Sequence, residues 1–136
     1  MPDDQTTIHE LRQLVEQFVS SRDWHQFHTP KNLAIALAVE AAELMEHFQW
    51  LDPQESRAVA HDPLRRAAAG EELADVVCYA LAMANVLGID VSDAVRQKMI
   101  KNAQKYPADK FRGRWGEGDE RAAGDRPNRE SRPSDG

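Results

Sequence analysis

Apolar residues return every three or four positions through most of the first 107 residues, the spacing that gathers them on one face of an α-helix. Thr7-Ile8-His9-Glu10 has the pattern of a capping box, and Ile8, Leu11, Leu14/Val15 and Phe18 follow at helical spacing toward Arg22. Thr29-Pro30 offers a cap followed by proline at the first helical position, and an apolar series runs from Leu33 to Phe48. Asp52-Pro53-Gln54-Glu55 repeats that start signal for a short turn of helix. Asp62-Pro63 opens a third long element through Leu87, ended by Gly88, with Gly70 its weak point. Ser92 is the predicted cap of a fourth helix, which Pro107 stops after Tyr106. No segment alternates with a strand period, so the predicted fold class is all-α. Leu33, Ile35, Leu37, Val39 and Leu44 lie on more than one face of the second helix. A small monomer cannot hide them all, and subunit association is expected.

The pattern fails after residue 107. Residues 108–136 hold five of the seven glycines, Pro127, Pro133, seven Lys/Arg and seven Asp/Glu, with Phe111 and Trp115 as the large apolar groups. We read residues 1–107 as one domain and 108–136 as a disordered tail. The formal charge of −6 then belongs to the body, with ten basic and sixteen acidic side chains, a balance that excludes duplex nucleic acid as a partner. Cys78, the sole cysteine, sits in Val76-Val77-Cys78-Tyr79-Ala80-Leu81 and reads as an inert core thiol. The first residues lack the regions of a secretory signal, and the apolar stretch Leu73 to Ile89 is broken by Asp75 and Asn85, short of a membrane span. A cytoplasmic protein with no membrane partner is expected.

Two carboxylate doublets interrupt the apolar helices, Glu40-Ala41-Ala42-Glu43 and Glu72-Leu73-Ala74-Asp75, with 28 residues between them. An i,i+3 step puts both acids of a doublet on one face. Acids on a helix are usually solvated, but Leu33, Ala36, Leu37, Glu40, Leu44 and His47 follow one stripe, so Glu40 occupies an apolar position. Leu73, Val76, Val77 and Leu81 enclose Asp75. Glu71 is an alternative to Glu72 at i,i+4, although Glu72 matches the step of the other doublet. Packing the two faces together would bury four negative charges, which is costly without a cation. Di-iron bundles use E-x-x-H motifs and zinc favours His or Cys. All-carboxylate ligation favours Mg2+, with Mn2+ as a substitute, and Mg2+ shares its coordination with substrate phosphates.

Lys98, Asn102 and Lys105 share a stripe near the end of the fourth helix, with Lys101 and Tyr106 beside it. Alone this is a solvated basic face favoured at a helix C-terminus; beside a metal it would bind phosphate oxygens. Trp24, Phe27, His28 and Trp50 flank the second helix. They read either as core plugs or as platforms on which a base stacks.

Taken together, the stretch Arg22 to Leu33, Glu40-Ala41-Ala42-Glu43-Leu44, Phe48-Gln49-Trp50, Glu72-Leu73-Ala74-Asp75-Val76 and Lys98 to Pro107 resemble the MazG-like all-α nucleoside triphosphate pyrophosphohydrolases, in their dCTP pyrophosphatase branch. The resemblance spans about residues 8–107. It implies a bundle-like MazG fold assembled as a homodimer or homotetramer. It implies Mg2+-dependent cleavage of a nucleoside triphosphate, dCTP or a modified dCTP, to monophosphate and pyrophosphate. Carried over by position, Glu40, Glu43, Glu72 and Asp75 become metal ligands and the catalytic acids. Tyr79, Lys98, Asn102 and Lys105 become phosphate contacts. Trp24 and Trp50 become base-pocket residues, with His28 and Lys31 as further substrate contacts. The implied route is attack of a metal-activated water on the α-phosphorus, with one of the carboxylates accepting its proton. A histidine of the animal enzymes is replaced by Val15, which cannot donate to a base carbonyl, so strict cytosine selectivity is not implied. A related phosphoribosyl-ATP pyrophosphohydrolase and a non-enzymatic metal-binding helical oligomer are the alternative readings.

Overall fold

The helices that start at Ile8, Pro30, Pro53 and Pro63 each follow a side chain that can satisfy their free amides, and the computed structural model, which describes residues 1–114, shows those caps in place. Helix α1 (Ile8–Ser20) starts from a reciprocal box: the Glu10 amide donates to Thr7 Oγ1 at 3.2 Å and the Thr7 amide to Glu10 Oε2 at 2.6 Å. These bonds hold the Glu10 carboxyl below its ordinary pKa. Helix α2 (Pro30–Glu46) is capped by Thr29, which accepts from the Asn32 amide at 3.2 Å. Helix α3 (Pro53–Ala58) uses an Asp52/Glu55 box, which lowers the Asp52 pKa through its hydrogen bonds. A 3-10 turn (Val59–His61) leads to α4 (Pro63–Leu87), where Asp62 accepts from the Leu64 and Arg65 amides at 3.1 Å each.

The far end of α4 stops at Gly88. Its φ of 64° lets Ile89 donate back to the Ala84 carbonyl at 3.0 Å, a left-handed closure that glycine adopts without a Cβ penalty. Helix α5 (Val91–Lys105) follows, and a short helix α6 (Ala108–Phe111) comes after Pro107. Ser92 lies inside α5 rather than capping it. Among the described residues there is no strand, as the absence of period-two patterning predicts. Helix α1 ends at Ser20, two residues short of Arg22, and α2 at Glu46, two residues before the end of its apolar series at Phe48.

The chain divides into two units, Met1–Ser92 and 93–136. In the first, α2 packs along α4 over the longest contact, and α1 lies against α4 as well. The buried apolar side chains of this unit are Val19, Leu33, Val59, Leu81, Ala82 and Ala84, with Leu33 the largest fully buried one. In the second, the Tyr106 and Phe111 rings meet edge to face at 5.2 Å, so an ordered turn occupies the start of the segment read above as a tail. Residues 115–136, where the rest of that expectation falls, lie outside the described residues.

Cys78 is exposed, which corrects the reading of it as a core thiol. Apolar neighbours in sequence fall on several helix faces, and α4 finds partners for only some of them. Leu73 and Val77 are likewise 53% and 42% exposed.

Leu33 supplies the test of this core. Leu33→Ala should lower the unfolding free energy by about 2 to 5 kcal/mol, the range for leucine truncation at a packed site, whereas Gly70→Ala should be neutral or stabilising by up to about 1 kcal/mol. A Cβ on Gly70 meets nothing within 4 Å. Chemical denaturation of both variants checks the pair.

Candidate metal and nucleotide site

Helices α2 and α4 face one another where each carries a carboxylate doublet, and their packing draws the acids together. One carboxylate oxygen from each of Glu40, Glu43 and Glu72 lies within 4.8 Å of the other two. Glu71 is exposed and outside this group, so of the two candidates on α4 it is Glu72 that joins the cluster. Asp75 is outside the set of three mutually close oxygens, but its charge acts on both Glu40 and Glu72.

Electrostatics shows what this proximity costs. The Glu40 carboxyl is pushed up to about 7, first by a hydrogen bond with Glu43, then by removal from water, then by repulsion from Glu43, Asp75 and Glu72. A hydrogen bond between two carboxyl groups requires a proton on one of them. Glu72 is raised as well, by removal from water and then by Glu43, while His47 opposes the shift. His47 Nε2 stands 4.0 Å from Glu72 Oε1. Its position on the Glu40 stripe was visible in the sequence, although no role followed from that alone.

Glu40 Oε2 is shielded from solvent and accepts no hydrogen bond from the protein. An orphaned carboxylate oxygen within a cluster of acids is the feature that a cation satisfies. With oxygen donors alone, the site fits a hard divalent ion and lacks the nitrogen and sulfur ligands of a zinc centre.

A slot of about 500 Å³ opens between α1 and α4. Leu14, Val15, Phe18 and Val19 come from α1, Asp75, Cys78, Tyr79 and Ala82 from α4, and Trp24 and His28 from the connection. Asp75 therefore belongs both to the slot and to the electrostatic neighbourhood of the acids. Asp23 directs the chain here: its φ of 53° is a left-handed conformation that aspartate tolerates better than most residues. The following 3-10 turn (Trp24–Gln26) is tied to α1 by His25 Nε2 and Glu16 Oε1 at 2.7 Å. Trp24 meets the Phe18 ring edge-on at 5.6 Å and tilts over His28 at 6.3 Å. Burial, and next the Asp75 carboxylate, push the Cys78 thiol up, which keeps it protonated and a poor nucleophile.

The other predicted residues are placed less tightly. Lys31 is exposed near the start of α2. Trp50 is 86% exposed and does not line the slot of its own chain. In the second unit, Lys98 and Lys105 are exposed, Asn102 is half-buried with its amide 4.0 Å from Met99 Sδ, and the Lys105 ammonium lies 5.3 Å from the Tyr106 ring centre. Leu14, Phe18, Val19 and Ala82 were not singled out from sequence as slot residues. Phe18 and Leu14 did lie on the apolar face of the first helix, but the partner of that face was not legible.

The MazG-like family profile matches residues 35–119. Mouse dCTP pyrophosphatase 1 is 44% identical over 107 residues, covering 79% of this chain and 63% of that protein. The human dCTP pyrophosphatase 1 is 43% identical over 102 residues, covering 75% and 60%. Among solved structures, a pyrophosphatase from Archaeoglobus fulgidus superposes with a TM-score of 0.69 at 38% identity, over 79% of this chain and 98% of that one. The chain spans less than two thirds of the length of the curated relatives it matches. It belongs to the MazG-like family.

The crowding of acids predicts how the metal-free protein responds to pH. Glu40 titrates from an ordinary value near 4.5 in the unfolded chain to about 7 in the folded one. Across that window the folded state binds more protons, so stability is highest below it and falls as pH rises through it. In chelator, the denaturation midpoint should decline from pH 5 to 8 (about the window's edges), and Glu40→Gln should flatten the decline. An equal slope in the variant would remove Glu40 as its source.

Proposed function

We propose that this protein hydrolyses a nucleoside triphosphate, dCTP or a modified dCTP, to the monophosphate and pyrophosphate, with Mg2+ at the Glu40, Glu43, Glu72 and Asp75 acids. The observation that carries the reading is the adjacency of two unlike environments through one residue. Asp75 lines an aromatic slot suited to a base and also acts electrostatically on the acid cluster suited to a metal-bound phosphate. The names of the relatives support a pyrophosphatase and a dCTP substrate.

A bound divalent ion would neutralise the oxygens that gain charge during phosphoanhydride cleavage and lower the pKa of water. The protein's own contributions are positioning and proton transfer. Trp24, with Phe18 against its edge, offers a face on which a base stacks, and His28 and Tyr79 bring polar groups to the same slot. One of the four carboxylates takes the proton of the attacking water, directly or through a second water. Lys98, Asn102 and Lys105, with Lys31, are assigned to the phosphates, where cations stabilise developing charge. The functional body is taken as residues 1–107.

The protein is proposed to work as a homodimer or homotetramer. Ile35, Val39 and Met45 on α2 and Leu64, Leu73 and Val77 on α4 are all more than 40% exposed in the single chain. Apolar surface of this extent marks an interface. On this reading Trp50 reaches a base only across a subunit contact.

The deciding experiment offers deoxynucleoside and ribonucleoside triphosphates, 5-methyl-dCTP and phosphoribosyl-ATP with Mg2+ and separates pyrophosphate from orthophosphate among the products. Pyrophosphate with a deoxycytidine monophosphate supports the proposal. Orthophosphate as the sole product would overturn the α–β assignment, and turnover confined to phosphoribosyl-ATP would move the protein to histidine-pathway chemistry. Glu43→Gln should abolish Mg2+-dependent turnover with helical content retained. Trp24→Ala should raise KM for the preferred nucleotide by about 5- to 150-fold, from stacking of about 1 to 3 kcal/mol, and leave kcat nearly unchanged.

A further inference from the structure

The slot between α1 and α4 is only as wide as the separation of those helices, and little of the apolar face of α1 is fully buried. Of the α1 side chains only Val19 is buried, while Leu14 and Phe18, which line the slot, are 58% and 48% exposed. A polar clamp spans the same pair of helices. Arg12 Nε donates to Asn85 Oδ1 at 2.8 Å, and its two terminal nitrogens donate to the Ile89 carbonyl at 2.7 Å and the Ala84 carbonyl at 3.3 Å. Asn85 Nδ2 returns a hydrogen bond to the Arg12 carbonyl at 3.1 Å.

The placement makes chemical sense at both ends. The C-terminal end of a helix carries the negative end of its dipole, so a guanidinium is well matched to the Ala84 carbonyl, which also accepts from the Ile89 amide, and to the Ile89 carbonyl just beyond. Its planar fork donates in several directions at once without bending. Gly88 turns the chain so that the Ile89 carbonyl comes within reach of the same guanidinium. The clamp also borders the slot: Leu14 and Val15 follow Arg12 by two and three residues, and Ala82 precedes Asn85 by three.

We propose that Arg12 and Asn85 are positioning residues that fix α1 against α4 and thereby set the fit of the slot around a nucleobase. They contact no substrate in this account. Their effect is transmitted through the helix that carries Leu14, Val15 and Phe18. The inference rests on the reading of the slot as the base site, so its test needs one arm that does not depend on turnover.

The variants are Asn85→Ala, Arg12→Met and Arg12→Lys in the full chain, assayed below the thermal transition of the least stable one. Losing one or two hydrogen bonds of ordinary strength should raise KM for the preferred nucleoside triphosphate by about 5- to 20-fold. The turnover number should stay within about twofold, because the reacting groups are untouched. The inhibition constant of inorganic triphosphate, which has no base, should not change, and Arg12→Lys should recover part of the loss. Independently of activity, amide hydrogen exchange across residues 8–20 should accelerate in Asn85→Ala while exchange in α2 does not. A lower melting temperature with unchanged KM would overturn the proposal, as would an equal weakening of base-free triphosphate. Unchanged exchange in α1 would overturn it as well. Should the wild-type protein hydrolyse no nucleoside triphosphate, the base assignment falls, and the exchange arm still decides whether the clamp holds α1.

Discussion

Mutual repulsion among carboxylates is the constraint on which this structure turns. Glu40, Glu43 and Glu72 are brought within reach of one another by the packing of α2 on α4, and a hydrogen bond with Glu43, removal from water and this repulsion, in that order, push the Glu40 carboxyl up to about 7. Nothing in that arrangement favours the folded metal-free chain at neutral pH. The same unit buries Leu33 on α2 and Leu81, Ala82 and Ala84 on α4, and α2 packs along α4 over the longest contact. Apolar burial therefore sustains a charge arrangement that a cation would relieve. The cost of the site and its chemical use have one origin.

The second consequence is spatial. Asp75 carries the influence of the acid cluster into a slot whose other walls are aromatic and aliphatic, so a single ligand with a charged end and a planar end suits both. The charged end needs fixed acids on two rigid helices, and α2 and α4 share the longest helical contact in the unit. The planar end depends on α1, which Arg12 and Asn85 link to α4 by hydrogen bonds. Affinity for the two parts of a ligand can thus be separated by changing residues on different helices.

Local chemistry was the most legible part of the fold. Thr7, Thr29, Asp52 and Asp62 announce helix starts because the groups that satisfy the first amides lie within three residues of them. The carboxylate doublets were legible for a related reason: an acid placed where an apolar stripe needs a hydrocarbon is a local contradiction, and a second doublet with the same i,i+3 step marks the pair as one candidate cation site. Cys78 and Trp50 were less legible because their exposure depends on which faces of α2 and α4 find partners, a property of tertiary assembly. The slot itself could not be read from one helix. Leu14 and Phe18 look like core residues along α1, and only the placement of α1 beside α4 shows that the space between the helices remains open.

The most direct measurement of the central claim is a Mn2+ titration of the purified protein followed by electron paramagnetic resonance, with Mg2+ added as competitor. The account predicts saturable binding that Mg2+ displaces, that weakens as the medium is acidified through the pH at which Glu40 takes up its proton, and that Glu40→Gln and Glu72→Gln each reduce about tenfold or more, the range that ligand-shell changes produce. Binding of equal strength in both variants, or no binding by the wild-type protein at neutral pH, would contradict it.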